Sequence, residues 1–553
     1  MKIREVSIHN YRGIIDEAFK LNDYSLLIGA NNGGKSTVIA AICAFYDHEP
    51  FKYSQSRDWP HLGASDNECW IEIEYELDST EASEIKTEYL LPNGRMRLRR
   101  YLHSTSKAHD GKAKSGARFA YTSSGLTETD FYYGDRNVGK GKLGELIYIP
   151  AVSKVEDHTK LSGPSPLRDL LNDMLKDIVG SSDSYTALQS SFETFSTNVR
   201  TETTDGGRSI EGLQTSITDS LSDWGVDFQI AMKAPEPTDL VKSLTDYHLV
   251  ETGTDKPLAA DAFGSGFQRQ LVYTLIQTRA SYIEAKPSPK RKTFSPSMTL
   301  LLFEEPEAFL HPPQQLRLAE NLRKIASGPT HQVLCSTHSP HYVGLQASEL
   351  TGIIRCHRTG RLVSLYQLDT KTWDAIVDAN SAETEEDRAD IEQIHCFLWL
   401  NPDRCSAFFC DFVLLVEGKT EEVVLRRLIS DGKVANVPSG THVLDALGKF
   451  NIPRFSKLLE AMGLSHSILF DEDESKGRHA DANKECRGRK KSKCVRNVVS
   501  IPKNIEHALG IATSPMKNNK PGNAILALDR NNIDADKLKT FCGVVSACFD
   551  SSL

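Results

Sequence analysis

The run Gly29-Ala30-Asn31-Asn32-Gly33-Gly34-Lys35-Ser36 has the glycines, lysine and hydroxyl of a phosphate-binding loop at the required spacing. Glycines let backbone N–H groups turn toward phosphate oxygens, and a helix beginning at the loop adds the positive end of its dipole. Lys35 would reach the β- and γ-phosphates and Ser36 would hold Mg²⁺, with Asn31, Gly33, Gly34 and Thr37 completing the cradle. Far along the chain, Thr299-Leu300-Leu301-Leu302-Phe303-Glu304-Glu305 is an apolar strand ending in acids. Glu304 would assist Mg²⁺, and Glu305 would orient or deprotonate an attacking water. A solvated acidic turn after a strand is common in isolation; the upstream phosphate loop is what gives these acids a task.

A second set of acids follows a second pair of strands. Phe412-Val413-Leu414-Leu415-Val416 runs into Glu417, Gly418 and a helix over Thr420–Ile429, so Glu417 ends the strand and Glu421 lies one helical turn on. About fifty residues later Ser467-Ile468-Leu469-Phe470 ends in Asp471-Glu472-Asp473, and alternation puts Asp471 and Asp473 on one side. Four carboxylates converging on a sheet edge repel one another, and a divalent cation resolves that repulsion. Oxygen-only ligands select Mg²⁺ or Mn²⁺, an ion that activates water during phosphodiester cleavage. Either acidic run alone reads as a charged turn; together, after matching strands, they read as a metal site.

The elements that must position these groups follow from periodicity. Alternation in Glu5-Val6-Ser7-Ile8 and the apolar run Ser25–Ile28 predict strands, with a helix from about Lys35 to Tyr46 behind the glycine loop. Trp70–Tyr75 and Arg95–Leu102 read as antiparallel strands, which implies a mixed sheet. The stretch His103–Leu143, rich in Gly, Ser, Lys and Asp, reads mainly as exposed loops. Leu167, Leu170, Leu171, Met174, Leu175, Ile178 and Val179 recur at helical spacing and open a helical insertion, either packed within the chain or supplying a dimer contact. Strand signals at Leu300–Phe303, Val333–Cys335, Val413–Val416, Ile468–Phe470 and Val498–Ile501 alternate with helical patterns, which argues an α/β architecture.

Composition sets the outer bounds. At 553 residues, with roughly 150 per domain, more than one domain is expected. Hydrophobic residues at 39% and charged residues at 25% suit a globular protein. No apolar run approaches bilayer length and Met1-Lys2-Ile3-Arg4 enters a strand pattern, so the expectation is a cytoplasmic chain with no membrane partner. Eleven cysteines without a dense framework fit reduced thiols, and the spacing of Cys486 and Cys494, near His479, does not match zinc. A net charge of −9 gives no global nucleic-acid footprint, so DNA contact must be local. Lys476–Arg496 supplies one candidate, with nine Lys/Arg against two acids, read as a loop leaving the acidic strand end.

The order of these motifs carries a family resemblance. Gly264-Ser265-Gly266-Phe267-Gln268 resembles the ABC signature, Ser336-Thr337-His338-Ser339-Pro340 the histidine switch, and Asn10-Tyr11-Arg12-Gly13 the start of the RecF/SMC-like branch of ABC ATPases. The later acids resemble the Toprim pattern. An N-terminal RecF/SMC-like ATPase followed by Toprim is similar to the OLD (overcoming lysogenization defect) nuclease family over essentially the whole chain. The resemblance implies ATP as cofactor, with Arg12, Ser265, Gly266 and Gln268 in its binding and His338 in catalysis. Ser265 and Gly266 would meet γ-phosphate in trans within a homodimer or higher oligomer. It also implies Gly448 and Lys449 beside the acids, Glu506 as a further metal ligand and Lys520 as a charge at the scissile phosphate. Glu304 departs from the usual Asp, a longer side chain that would weaken metal placement and slow turnover, and no Q-loop glutamine is assigned.

The expected organisation is an ABC-type ATPase with mixed sheet and a helical insertion, followed by a Toprim α/β domain with a parallel sheet. Its segments are 1–160 and 236–375 for the ATPase, 161–235 for the insertion, 376–409 for a linker and 410–553 for Toprim. The implied function is an ATP-binding, Mg²⁺- or Mn²⁺-dependent DNA endonuclease or nickase in antiphage defence, with a helicase or a retron reverse transcriptase and its RNA-linked DNA as partner classes. A RecF/SMC-like DNA clamp that does not cut stays open as the alternative. A topoisomerase-like Toprim enzyme would need a tyrosine nucleophile in its own DNA-binding domain, and no segment supplies one.

Overall fold

A computed structural model describes residues 1–60, 63–108, 111–134, 143–151, 165–179, 182–254, 256–283, 298–344, 346–378, 401–472, 477–511 and 519–550, with a few single positions between them. The chain forms two compact units, Met1–Ala151 with Lys290–Leu553, and Val152–Pro289.

In the first unit, the helix Lys35–Phe45 lies between two sheets. Val38 through Phe45 are each at most 1% exposed, because the helix is apolar on every side and must be covered all round. One covering sheet is antiparallel, in the order Ile14–Lys20, Lys2–Tyr11, Cys69–Glu76, Arg95–His103, Arg118–Thr122, Gly125–Phe131. Its alternating residues Ile3, Val6, Ile8, Ile71, Ile73 and Leu98 face the helix. The other sheet runs Leu362–Gln367, Ile353–Thr359, Tyr24–Ile28, His331–Ser336, Thr299–Glu304, Glu145–Ile149, parallel except for the Ile353–Gln367 hairpin. Its central strands are buried throughout, including the polar Ser25, His331, Gln332 and Ser336 beside their apolar residues, as a sheet covered on both faces requires.

The stretch His103–Leu143 corrects the loop expectation. Arg118–Thr122 and Gly125–Phe131 form a hairpin, with Phe119 and Tyr132 fully buried. Alternation in Arg118-Phe119-Ala120-Tyr121 was the available signal, masked by the Gly/Ser-rich turn beside it.

Farther along, a four-stranded parallel sheet runs Thr441–Asp445, Phe412–Val416, Ser465–Asp471, Val495–Ile501. Helices Lys419–Ser430, Lys520–Asp529 and Ala535–Ser546 bury Val424, Leu428, Ala524 and Val545 in one core with Leu414 and Leu469. All the strand ends that carry acids therefore open on one edge of this sheet.

The second unit is mainly helical, with helices Pro166–Val179, Asp183–Thr201, Ile210–Ser220, Pro237–Leu244 and Ser265–Ile283. Every described cysteine is a free thiol. Among the described residues no helix is long and apolar enough to cross a membrane.

Candidate functional site

The phosphate loop joins the strand Tyr24–Ile28 to its helix through backbone that only glycine adopts easily. Gly29 has φ 135° and Gly34 φ 111°. A Cβ on Gly29 would stand 2.2 Å from the Cys356 carbonyl oxygen, and one on Gly34 2.5 Å from Val363. The hairpin Ile353–Gln367 therefore forms a wall against the loop. A pocket of about 460 Å³ opens here, lined by Arg12, Asn31, Gly33, Gly34, Lys35, Ser36, Thr37, Glu305 and His338. Lys35 is buried and donates to the carbonyl oxygens of Gly29 and Ala30, each at 3.0 Å. Burial lowers its pKa, opposed by Glu305, Glu307 and Glu304 nearby.

Glu305 holds a left-handed backbone, φ 43°, fixed by its N–H donating to the Ser336 carbonyl at 2.8 Å. Such a conformation costs a non-glycine residue about 1–3 kcal/mol and concentrates at sites of chemistry. The His338 ring Nε2 stands 3.4 Å from Glu305 Oε1. Burial and Lys35 lower the His338 pKa while Glu305 opposes them, which favours a neutral imidazole at neutral pH. Glu304 faces elsewhere: the Tyr148 hydroxyl donates to its Oε2 at 2.5 Å. Tyr148 arrives on the neighbouring strand, in register with Leu302. Arg12 also takes a left-handed backbone, φ 53°, and donates to Asp58 at 2.9 Å.

Five pocket residues carry no motif signal in the sequence: Arg57, Trp59, Arg358, Arg361 and Val363. Arg358 donates to Asn32 of the loop at 2.8 Å. The Thr359-Gly360 turn between two arginines was the only local hint. Ser265, Gly266 and Gln268 belong to the second unit, where Ser265 begins a helix and the Gln268 amide donates to the Phe263 carbonyl at 2.7 Å.

On the parallel sheet, Glu417 leaves the strand Phe412–Val416, and its carbonyl accepts from Gly448 N–H at 2.7 Å. The adjoining Lys449 is buried, with its ammonium 3.9 Å from Glu417 Oε2. Glu421, Asp471 and Glu506 are each at most 7% exposed. Lys520 pairs with Glu506 at 2.8 Å, and this bond raises the lysine's pKa, with Glu421 and Asp471 adding to the effect. Burial, with Glu417 and Glu506 close by, raises the Glu421 carboxyl to about 7. Asp473 lies outside the described residues.

These acids fit a hard divalent cation by donor chemistry: oxygen-only, buried, mutually repelling, at one sheet edge. Among the described residues no three His, Cys, Asp or Glu side chains stand close enough together to hold an ion as placed.

The raised Glu421 carboxyl has a consequence for stability. Its folded value of about 7 exceeds the ordinary 4.5, so the native state holds the proton more tightly than the unfolded chain between these values. This contribution is present in full below about pH 4.5 and is lost as pH rises through about 7. Chelated Glu421→Gln protein should therefore be more stable than wild type at pH 8, by about 3 kcal/mol for a rise from 4.5 to about 7 at 1.36 kcal/mol per pKa unit. The gap should close toward pH 4. Urea denaturation at both pH values checks it, and equal stability at pH 8 would contradict it.

The segment Lys476–Arg496 corrects the loop expectation: Arg478–Gly488 is a helix and Arg489–Lys491 a helical turn. Arg487 pairs with Glu472, and Arg489 pairs with Glu460 and donates to Ser456 at 2.9 Å. Lys484, Lys490, Lys491 and Lys493 are exposed. Cys486 is buried and the His479 ring rests by Phe450.

Comparison with known proteins agrees with this layout. Residues 25–343, more than half the chain, match the family described as "AAA domain, putative AbiEii toxin, Type IV TA system". Residues 408–473 match "Overcoming lysogenization defect protein-like, TOPRIM domain". The chain is similar to the Old nuclease of Escherichia phage P2, 26% identical over 86% of this chain and 77% of that protein. It is similar to the OLD nuclease of Thermus scotoductus, 24% identical over 40% of this chain and 37% of that one. The endonuclease GajA of Bacillus cereus is 24% identical over 38% of this chain and 31% of its own length. With an AAA ATPase domain built around Gly29–Ser36 and a Toprim domain opening at Glu417, the chain belongs to the OLD-like family of ATPase-linked nucleases.

Proposed function

We propose that this protein is a divalent-metal-dependent DNA endonuclease or nickase governed by ATP binding and hydrolysis. The observation that supports the reading is the edge of the parallel sheet, where Glu421 lies near Glu417 and Glu506, and Lys520 lies near Glu506, Glu421 and Asp471. These side chains, with Asp473, would hold Mg²⁺ or Mn²⁺, which when bound activates water and stabilises the leaving oxygen of a phosphodiester. Lys520, released from Glu506, offsets charge at the scissile phosphate, and Lys449 holds Glu417 in line. Lys35, Ser36 and the loop amides bind the triphosphate, Arg12 and Arg358 flank it, and Glu305 with His338 positions water at the γ-phosphate. Ser265, Gly266 and Gln268 meet that phosphate from a second copy, which makes ATP a bridge between protomers. Relatives named nuclease and endonuclease support the cutting activity, and the OLD type of Toprim domain supports antiphage defence as its setting. A helicase or a reverse transcriptase carrying RNA-linked DNA is the class of partner such a role admits.

Purified full-length protein incubated with supercoiled plasmid tests the reading. Nicked or linear product is expected with Mg²⁺ or Mn²⁺ and none with chelator. ATP hydrolysis without cleavage under either metal would leave the non-cutting DNA clamp as the better account.

DNA reaches the acids along the helix Arg478–Gly488, which follows the strand of Asp471 and exposes lysines at its end. Replacing Lys484, Lys490, Lys491 and Lys493 with Ser should weaken DNA binding equally for all sequences. It should also flatten the slope of log affinity against log salt by about 0.9 for each phosphate no longer neutralised. Filter binding across a salt series measures this; an unchanged slope would make these lysines an ordinary solvated surface.

A further inference from the structure

The hairpin Ile353–Gln367 touches both the phosphate loop and the parallel Toprim sheet. On one side Ile353, Ile354 and Arg355 pair with Leu26, Leu27 and Ile28, the last residues before the phosphate loop. The Cys356 carbonyl and Val363 close on Gly29 and Gly34, and Arg358 holds Asn32. On the other side the Arg355 guanidinium, 3% exposed, leaves the ATPase and enters the Toprim domain. It donates to the carbonyls of Met462 at 3.3 Å, Gly463 at 3.1 Å and Cys410 at 3.4 Å. Tyr366, the register partner of Arg355, lays its ring over Gly463, where a Cβ would come within 2.5 Å of it.

Those three carbonyls have a common position. Cys410 precedes the strand Phe412–Val416, and Met462 and Gly463 precede Ser465–Asp471. The two strands begin side by side, Phe412 opposite Ser465, and end at Glu417 and Asp471. A buried guanidinium disfavours its own charge, and here Asp411 is the carboxylate near enough to offset that. Lysine cannot reproduce the contact, because one ammonium does not span three carbonyls in the planar fork.

We propose that Arg355, with Tyr366, is a positioning residue that ties the phosphate loop to the entry ends of the strands bearing Glu417 and Asp471, so that nucleotide occupancy regulates the carboxylate site through this hairpin. The proposal rests on the nucleotide reading of the phosphate-loop pocket. Triphosphate entering the pocket draws on Lys35, Asn32 and Arg358, the groups through which the loop and hairpin are held together. A displacement of the hairpin moves Arg355 and Tyr366 against the Met462–Gly463 turn. Hydrogen-bonded parallel strands then carry it along their length to the acids, since packed elements shift as units.

Hydrogen exchange on the full chain, with and without the non-hydrolysable analogue AMP-PNP and Mg²⁺, tests this apart from cleavage. In wild type, AMP-PNP should alter amide exchange in Phe412–Val416 and Ser465–Asp471 by about fivefold or more, the lower range of typical allosteric coupling. Arg355→Lys and Tyr366→Ala should bind AMP-PNP with wild-type affinity and lose that response. Because Arg355→Lys could unfold the junction, Tyr366→Ala, which touches neither site, decides if it does. Wild-type protein whose strands ignore bound AMP-PNP, or variants that keep the full response, would overturn the coupling. Absence of AMP-PNP binding in wild type would overturn the nucleotide assignment and the coupling with it. Exchange coupling in a protein that cuts no DNA would sink the nuclease reading alone.

Discussion

Glu417→Ala protein is expected to fold, bind ATP normally and leave DNA intact. Glu417 ends a buried strand whose core contacts are made by Phe412, Leu414 and Val416, so truncating its side chain removes no packing. What is lost is a ligand for the ion that supplies several kcal/mol of transition-state stabilisation; at 1.36 kcal/mol per tenfold, cleavage should fall by about a thousandfold or more. Asp471→Ala should do the same from the neighbouring strand, and the double variant should be no worse than either, because the ligands act as a unit. Chelation should reproduce the defect in wild type, where Mg²⁺ or Mn²⁺ restores activity, whereas no added ion should rescue the variants. Plasmid nicking followed in time, with circular dichroism as the folding control, reads all of this. Wild-type cutting by Glu417→Ala would remove the Toprim acids from the chemistry.

Lys35→Ala should cost nucleotide affinity about 10- to 100-fold, the worth of one charge-assisted contact to phosphate. The ammonium is buried at the loop and bonded to the Gly29 and Ala30 carbonyls, within the pocket proposed to take the phosphates. Glu305→Gln should instead keep affinity and slow hydrolysis by about 10²- to 10⁴-fold, because the lost carboxylate acts on water and not on binding. Titration with a fluorescent ATP analogue and a phosphate-release assay separate the two. Equal affinity in wild type and Lys35→Ala would refute the phosphate-loop assignment. The neighbouring acid, Glu304, accepts the Tyr148 hydroxyl at Oε2, which restrains its carboxylate from the adjacent strand.

The places of the candidate site residues in the fold were legible in the sequence wherever they sit at the end of a regular element. Gly29–Ser36, Glu304-Glu305, Glu417 and Asp471 each follow an apolar strand, and the structure ends Tyr24–Ile28, Thr299–Glu304, Phe412–Val416 and Ser465–Asp471 at those residues. Strand periodicity is local, so a reader of ten residues can place such a carboxylate at a sheet edge. The same logic failed where a signal was diluted: Arg118–Phe131 was obscured by its Thr122-Ser123-Ser124-Gly125 turn, and the helix Arg478–Gly488 by a charge density that leaves few apolar residues to mark a face.

Only the tertiary structure decided which side chains meet. Tyr148 reaches Glu304 from 156 residues away, Arg358 reaches Asn32 from 326, and Arg355 reaches Gly463 from 108. Nothing in the neighbourhood of Arg355 distinguishes it from a surface arginine; its burial against the starts of two strands follows from where the hairpin Ile353–Gln367 joins the sheet beside Tyr24–Ile28. Sequence thus specified the strand ends and the acids on them, because side-chain alternation and loop chemistry act over a few residues. Partners for those acids, and the hairpin between the two sites, arise from packing between segments hundreds of residues apart, which no local pattern encodes.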